Sequence, residues 1–462
     1  MNELKEDLNN VFLRFRKKDF SGNQGALIKN STWNLISIFG GKVGSFIFTI
    51  VLARMLMPEL FGLYSLALST ILFFTIFSEL GIGTSMLTYV SKSLGKNDPK
   101  KAKSYYNYLL KYKLYLVLFS VLLLAILSNF IANSYYDKPI FYALLSGIIF
   151  LPAISLQSYL SSAFHAENNY KYTAYKEILF QVIRLILIPL SILYVLRFSV
   201  SIIILWIILL TAISHLIVLF FLKISSNREI KFLREKYPRE LNSAEKNDLR
   251  KFILPLSLLA FSGLFFGYID TIMLGHYVEG TYLGYYGAAF SLLGSAAAIL
   301  GFFPGALLPI FSRMGGKSLK KTFRKTRNWL ILISISASVF TFVTSKYILM
   351  IYGAEYFPAV NILRILSILL IILPLANIYD TYLISRKRTK VIAALLIFST
   401  TINIFLNWFF ITRGLKIGMM EAILGAAIAT IISRVIYLIG IMFAKKESLE
   451  IFNYNFGLKT HS

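Results

Sequence analysis

Lys42, Arg184 and Arg434 each stand near the middle of a long apolar run, where a charged side chain has little business unless it does something. A charge at the centre of a bilayer costs about 2.5–3.5 kcal/mol on the insertion scale. Three uncompensated cations therefore cost roughly 8–10 kcal/mol, comparable to the whole stability of a typical domain. They must face protein or a water-filled cavity. The chemistry open to such a set is to hold an anion across a dry path. Arginine suits a phosphate because its planar fork meets two oxygens at once and keeps its charge. The plainer alternative is an ion pair between packed helices, for instance Arg184 with Glu177. Arg364 lies near the end of its run and can snorkel to the interface.

Neighbouring residues agree with a polar interior. Glu177, Gln181, Arg184 and Ser191 are spaced by four, three and seven residues, which puts them on one helical seam. Around Lys42 lie Asn34, Gly41, Ser45 and Thr49, and Gly40, Gly41 and Gly44 allow close helix approach or a bend. Lys42, Arg184 and Arg434 are the candidates for a phosphate-binding cavity, with Asn34, Gln181 and Glu177 as its polar lining. Three acids also fall within apolar runs. Glu79 and Asp380 sit towards the cytoplasmic side and Asp270 towards the outer side of its run. Asp270 and Glu79 are candidates for ion coupling or gating, an interfacial carboxylate being the blander reading. Four cations against three acids favour an anionic cargo.

The elements that must position these groups follow from composition. Of 462 residues, 57% are hydrophobic and only 15% charged, against about 25% charged in soluble domains. A water-soluble globule could not cover its surface with so few, so the chain is a polytopic membrane protein. Runs of about 20 apolar residues cross ~30 Å of hydrocarbon as helices. Twelve are predicted, at 32–53, 61–86, 112–132, 139–163, 173–196, 199–222, 251–274, 283–310, 328–349, 359–383, 390–411 and 419–443. Their continuous apolarity excludes barrel strands, which alternate.

Lysine and arginine fix the orientation. Of the 48, counting those at the span edges with the adjoining loops, the N-terminal segment and every second loop hold 38, the intervening loops 6, and four lie deeper within spans. That alternation places both termini in the cytoplasm and the chain in the cell membrane. The net charge of +26 thus reports topology, and no nucleic-acid partner is expected. Residues 1–31 precede the first span as a cytoplasmic segment with Leu4, Leu8, Val11, Phe12 and Phe15 on one helical face, and no cleavable signal is expected. The expected layout is an N-lobe at 32–222, a basic cytoplasmic linker at 223–250, a C-lobe at 251–443 and a cytoplasmic tail at 444–462.

The two lobes repeat. At a constant offset of 222, Leu52, Gly62, Tyr64, Ala67 and Ser69 recur as Leu274, Gly284, Tyr286, Ala289 and Ser291. Pro152 answers Pro374 at the same offset, and Lys100-Lys101 answers Lys320-Lys321 nearby. Both copies start inside, so the repeat is parallel, a common transporter architecture. Prolines within spans, above all Pro304 and Pro309 with Gly301 and Gly305, predict a bent eighth helix.

Catalysis finds little support. The chain has no cysteine, hence no disulfide, thiolate metal site or cysteine nucleophile. Four scattered histidines give no metal spacing, and no Walker-type glycine loop is present. The expected protein is not an enzyme and carries no metal or cofactor.

The opening GNQGALIKNSTWNLISIFGGKVGSFIFTIVLARMLMPELFGLYSLALS resembles the first two helices of polysaccharide and O-antigen flippases of the multidrug/oligosaccharidyl-lipid/polysaccharide superfamily. LLAFSGLFFGYIDTIMLGHYVEGTYLGYYGAAFSLL resembles their junction of helices seven and eight, through Asp270, Leu274-Gly275 and Gly284-Tyr285-Tyr286. The resemblance covers most of the chain and implies an all-α, MATE-like, V-shaped pair of six-helix lobes in alternating access. It implies as cargo an oligosaccharide on a polyprenyl (pyro)phosphate, moved to the outer leaflet through a cation-lined cavity by a proton or sodium gradient. Lys42 and Arg184 would supply such cations. The polyprenyl tail would pass between the lobes in contact with lipid, and polysaccharide polymerases or glycosyltransferases would be partners. A MATE-like drug or cation antiporter is the first rival and another small-solute secondary transporter the next. An in-membrane glycan enzyme is the rival from another class.

Overall fold

The computed structural model describes residues 22–386 and 388–457, and every regular element in them is helical. The expected amphipathic face before residue 22 lies outside the described residues.

Helix α1 (Gly22–Glu79) covers 58 residues in two helical segments that meet at a kink. It fuses the first two predicted runs. Within it Met57 leaves helical geometry at φ 59, ψ 169, just before Pro58. Proline lacks a backbone donor and disfavours helical geometry in the residue before it, so the chain turns there. A second break at Leu80 and Gly81, both at positive φ, separates α2 (Ile82–Leu94). The remaining N-lobe helices are α3 (Pro99–Asn129), α4 (Phe141–Ala166), α5 (Lys171–Val195) and α6 (Val200–Glu229). The C-lobe holds α7 (Ser243–Tyr277), α8 (Gly280–Ala306), α9 (Leu308–Arg313) and α10 (Gly316–Met350), then α11 (Val360–Leu366), α12 (Leu369–Ser385), α13 (Thr389–Leu415) and α14 (Met419–Gly457). The predicted bend in the eighth run is the gap between α8 and α9 at Leu307.

Among the described residues nine helical stretches are long and apolar enough to cross a membrane. The count becomes ten if Ala354–Leu366 and Leu369–Ser385, bent by 41°, form one span. The first stretch, Lys29–Leu94, has 66 residues, about three times the ~20 that one crossing needs, and the kink at Met57 divides it between the first two predicted spans.

Three hydrophobic cores organise the molecule. One takes residues from both lobes, including Leu52, Leu66 and Tyr64 with Leu274, Tyr286, Leu363 and Ala426, and lies towards the lysine-poor loops. The others sit at the lysine-rich ends and are separate. One belongs to residues 82–249, including Tyr106, Tyr159 and Phe232, and the other to residues 311–444, including Phe323 and Tyr382. The lobes are thus joined at their lysine-poor ends and have independent cores at the lysine-rich ends.

One cation counted with the loops proves to be buried. Lys113, assigned by the sequence to the lysine-rich loop before α3 enters the membrane, is 1% exposed. It donates to Glu79 at 2.8 Å and to the Ser78 carbonyl at 2.8 Å. That carbonyl belongs to the last turn before the break at Leu80, where helix ends leave acceptors unfilled. Lys113 therefore closes the broken helix end.

Candidate functional site

In the N-lobe Glu177, Gln181 and Arg184 of α5 lie towards α1. Gly41 and Gly44 of α1 face them: a Cβ on Gly44 would lie 2.5 Å from Gln181 Cγ, so only glycine lets α5 approach this closely. Gln181 donates to the Gly41 carbonyl at 2.8 Å, and Arg184 Nε donates to Gln181 Oε1 at 2.8 Å. The Arg184 guanidinium lies over the Phe48 ring at 4.2 Å and the Phe180 ring at 4.8 Å, an electrostatically favourable position for a cation. Arg184 is 9% exposed, and its Nη2 has no hydrogen-bond partner among the described residues. Glu177 pairs with Lys176 at 2.6 Å while its carboxylate rests against Gly41. The seam thus holds a buried guanidinium with one donor unpartnered among the described residues. Asn34 is half-buried on α1.

The C-lobe holds the opposite charge. Asp270 of α7 is 5% exposed. It accepts from Tyr286 at 2.9 Å, from Asn407 Nδ2 at 2.7 Å and from Thr430. Asn407 also donates to Asn403 Oδ1 at 3.1 Å, and Asn403 donates to Ser433 at 3.2 Å. Asn407 Oδ1 is buried without a hydrogen-bond partner among the described residues. Arg434 lies within electrostatic reach of Asp270 and Asp380, and Tyr437 donates to Asp380 at 2.7 Å. The result is an oxygen-rich pocket of side chains about one carboxylate, drawn from α7, α8, α13 and α14.

The repeat relates the two centres. Position 270 minus the offset is Phe48, the ring beneath Arg184, and Tyr64 corresponds to Tyr286, the donor to Asp270. One lobe therefore places a cation on an aromatic face where the other places a hydrogen-bonded carboxylate.

Repeat-related residues also make the joint between lobes. A Cβ on Gly62 would lie 1.9 Å from the Gly280 carbonyl, and one on Gly284 would lie 1.9 Å from the Pro58 carbonyl. Pro58 and Gly280 are themselves 222 apart, so the two contacts mirror one another. Beside them Arg54 donates to the Ile351 carbonyl at 2.6 Å, Tyr356 to Ala53 at 3.1 Å and Lys138 to Gly275 at 2.7 Å. All lie at the lysine-poor ends.

Lys42 is elsewhere. It is exposed on the wall of an inter-lobe groove of about 450 Å3, with Val43 and Phe46 on one side and Leu293, Ile299 and Phe340 among the residues on the other. Among the described residues lining that groove Lys42 is the one charge. The three predicted cations therefore occupy three places: the groove, the N-lobe interior and the C-lobe interior. Glu79 is engaged by Lys113. Arg364 donates to Ser345 at 3.1 Å on the lysine-poor side. Sequence reasoning named Tyr286 only in the repeat and the helix seven-to-eight junction, and missed Asn403, Asn407 and Thr430. The pair Asn403 and Asn407, four apart in an otherwise apolar run, was the available signal.

Comparison with known proteins gives a consistent pattern. Residues 27–315 match the family described as "Polysaccharide biosynthesis protein", and residues 255–409 match the family described as MatE. No curated protein sequence matches the chain closely enough to count as a relative. Among solved structures, the chain is similar to the lipid II flippase MurJ in an inward closed conformation. The TM-score is 0.66 at 16% identity, over 90% of this chain and 87% of that one. It is similar also to a multidrug resistance MATE family transporter of the MOP superfamily in an inward-facing conformation (TM-score 0.62, 14% identity, 93% and 96% covered). An outward-facing structure of such a transporter gives a TM-score of 0.57 at 12% identity, over 92% and 96%. At these identities the likeness is one of fold: an all-helical, MATE-like transporter architecture.

Proposed function

The chain belongs to the polysaccharide biosynthesis protein family, and from that membership we propose that it is a flippase for polyprenyl-(pyro)phosphate-linked oligosaccharides. It carries them from the inner to the outer leaflet for assembly of cell-surface polysaccharide. The observation that supports this reading best is the inter-lobe groove, apolar along its wall and carrying Lys42 as the one cation among the described residues. A lipid-linked phosphate needs both features at once, an apolar track for the chain and a cation for the headgroup. Without such a path each unsatisfied polar group of the headgroup costs several kcal/mol in hydrocarbon.

In this reading the lysine-rich face and both termini are on the cytoplasmic side of the cell membrane, and the form described is closed towards the outside by the glycine joint. Lys42 takes the phosphate first. Arg184, with its free Nη2, and Arg434 hold negative charge deeper in the lobes as they rock. Asp270 takes the coupling proton or sodium ion, since a carboxylate beside Asn407, Thr430 and Tyr286 offers several oxygens to a small cation. Polymerases or glycosyltransferases of the same assembly line are the expected partners. A second reading, a MATE-like drug or cation antiporter, draws support from the MatE match over 255–409 and from the buried Asp270. It leaves the lone lysine of the groove without a role.

The test is binding of the host's lipid-linked oligosaccharide to detergent-purified protein, beside the same lipid stripped of phosphate. The flippase reading expects preference for the phosphorylated lipid and loss of that preference in Lys42→Ala. Equal binding of both lipids by the wild type would return the weight to the antiporter. Asp270→Asn should leave that preference intact while making transport indifferent to an imposed ion gradient.

A further inference from the structure

The lysine-rich end of the N-lobe carries a cavity that the translocation path does not use. It measures about 1,090 Å3 and is framed by the start of α1, the α2–α3 and α4–α5 loops and the segment after α6. Ligand pockets commonly run from about 300 to 1,000 Å3, so the space suits more than one small ring. Its lining is unusual in composition. Asn30, Asn97, Asn168 and Asn169 contribute four side-chain amides, with three lysines balanced by three glutamates and one indole, Trp33. None of the four amides has a hydrogen-bond partner among the described residues.

The cavity is held in shape from behind. Glu167 accepts from the Phe232 backbone at 3.1 Å, and Lys103 donates to the carbonyls of Leu233 at 3.0 Å and Glu235 at 2.5 Å. These bonds tie the basic linker to the α4–α5 loop and to α3. Asn97 and Asn168 both adopt positive φ, 55° and 57°, a conformation that costs energy for any side chain and that asparagine tolerates better than most. Trp33 packs edge-on against Tyr175 at 5.5 Å, which fixes its ring.

We propose that this cavity binds the sugar portion of the cargo on the cytoplasmic face before translocation. The proposal rests on the flippase reading and adds a place where the glycan is recognised. Charge balance removes any preference for a phosphate and suits a neutral polyhydroxyl ligand. Amides offer donor and acceptor together, as paired sugar hydroxyls require, and an indole face takes the C–H side of a pyranose ring. Helical geometry separates this site from the phosphate site. Trp33 and Lys42 are nine residues apart, which places them about 14 Å apart along α1 and on opposite faces. A glycan held here is therefore bound outside the groove.

The test uses full-length protein in detergent and the water-soluble oligosaccharide released by mild acid from the host's lipid-linked pool. Binding is read by calorimetry, with translocation of the intact lipid-linked oligosaccharide measured in parallel. The wild type should bind the free oligosaccharide. Trp33→Ala should weaken it about tenfold, the equivalent of about 1.4 kcal/mol, and Asn169→Ala should weaken it too. Trp33→Phe should retain most of the affinity. Undiminished binding in both Trp33→Ala and Asn169→Ala would overturn the proposal. So would absence of free-oligosaccharide binding in a wild type that translocates the lipid-linked form, a result that leaves the flippase reading standing. Binding of the free oligosaccharide that depends on Trp33, without translocation, would uphold the cavity and sink the flippase reading.

Discussion

Gly284→Ala should open the joint between the lobes. The added Cβ would lie 1.9 Å from the Pro58 carbonyl oxygen, whereas real Cβ atoms keep at least 3.0 Å, so the two helices must part by about 1.1 Å at that point. The obstacle is backbone on both sides and cannot rotate away. Overpacking of this kind costs about 1–3 kcal/mol, which lowers the population of the closed joint by roughly 5- to 150-fold relative to the open one. The mirror-related substitution Gly62→Ala meets the Gly280 carbonyl at the same 1.9 Å and should act alike. The assay is a distance measurement between spin labels on Phe198→Cys and Ile417→Cys, both exposed and on lysine-poor loops of different lobes. The chain has no cysteine of its own to compete for label. The expected result is a shift towards longer distances in both glycine variants. An unchanged distance distribution in folded Gly284→Ala and Gly62→Ala protein would refute the assignment of this joint as the closed gate.

Three further outcomes are expected. Arg184→Ala should reduce transport at least about tenfold, the effect of losing some 1.4 kcal/mol of anion binding, with membrane insertion and folding unchanged. Wild-type transport in that variant would remove Arg184 from the path. Lys113→Met should cost roughly 3–5 kcal/mol, because it leaves Glu79 without its partner and the Ser78 carbonyl open, and pairing it with Glu79→Gln should restore much of the loss in a thermal-unfolding measurement. At the start of α7, Glu245 closes a capping box with Asn242, and its hydrogen bond with Lys101 holds its carboxyl below the usual range despite partial burial. A lowered carboxyl contributes stability above its unfolded pKa and loses it as pH falls through the folded value. Acidification below the ordinary glutamate range should therefore lower the protection against hydrogen exchange over residues 239–248, once rates are corrected for the intrinsic pH dependence of exchange, and neutral to alkaline pH should leave that protection intact.

Much of the architecture was legible because burial in lipid leaves a one-dimensional trace. Continuous apolar runs gave the helices, and the spacing of Glu177, Gln181 and Arg184 gave the seam that faces Gly41 and Gly44. The repeat pointed to Gly62 and Gly284 before their contact was visible. The pairing of neutral polar groups was not legible. Asn403, Asn407 and Thr430 carry no charge and sit on helices far from Asp270 in sequence, so nothing local marked them as its partners. Lys113 was misplaced for a related reason: a lysine at the edge of an apolar run looks the same whether it points to water or to Glu79. The separation of Lys42, Arg184 and Arg434 into three sites depends on which face of each helix meets which neighbour, and that is decided by packing.

Flippase activity is decided by translocation of a fluorescent lipid-linked oligosaccharide in proteoliposomes, read by a membrane-impermeant quencher or glycosidase. Protein-dependent movement to the opposite leaflet is expected, faster with an imposed proton or sodium gradient. No movement of the host's own lipid-linked oligosaccharide, from protein shown to be folded and inserted, would contradict it.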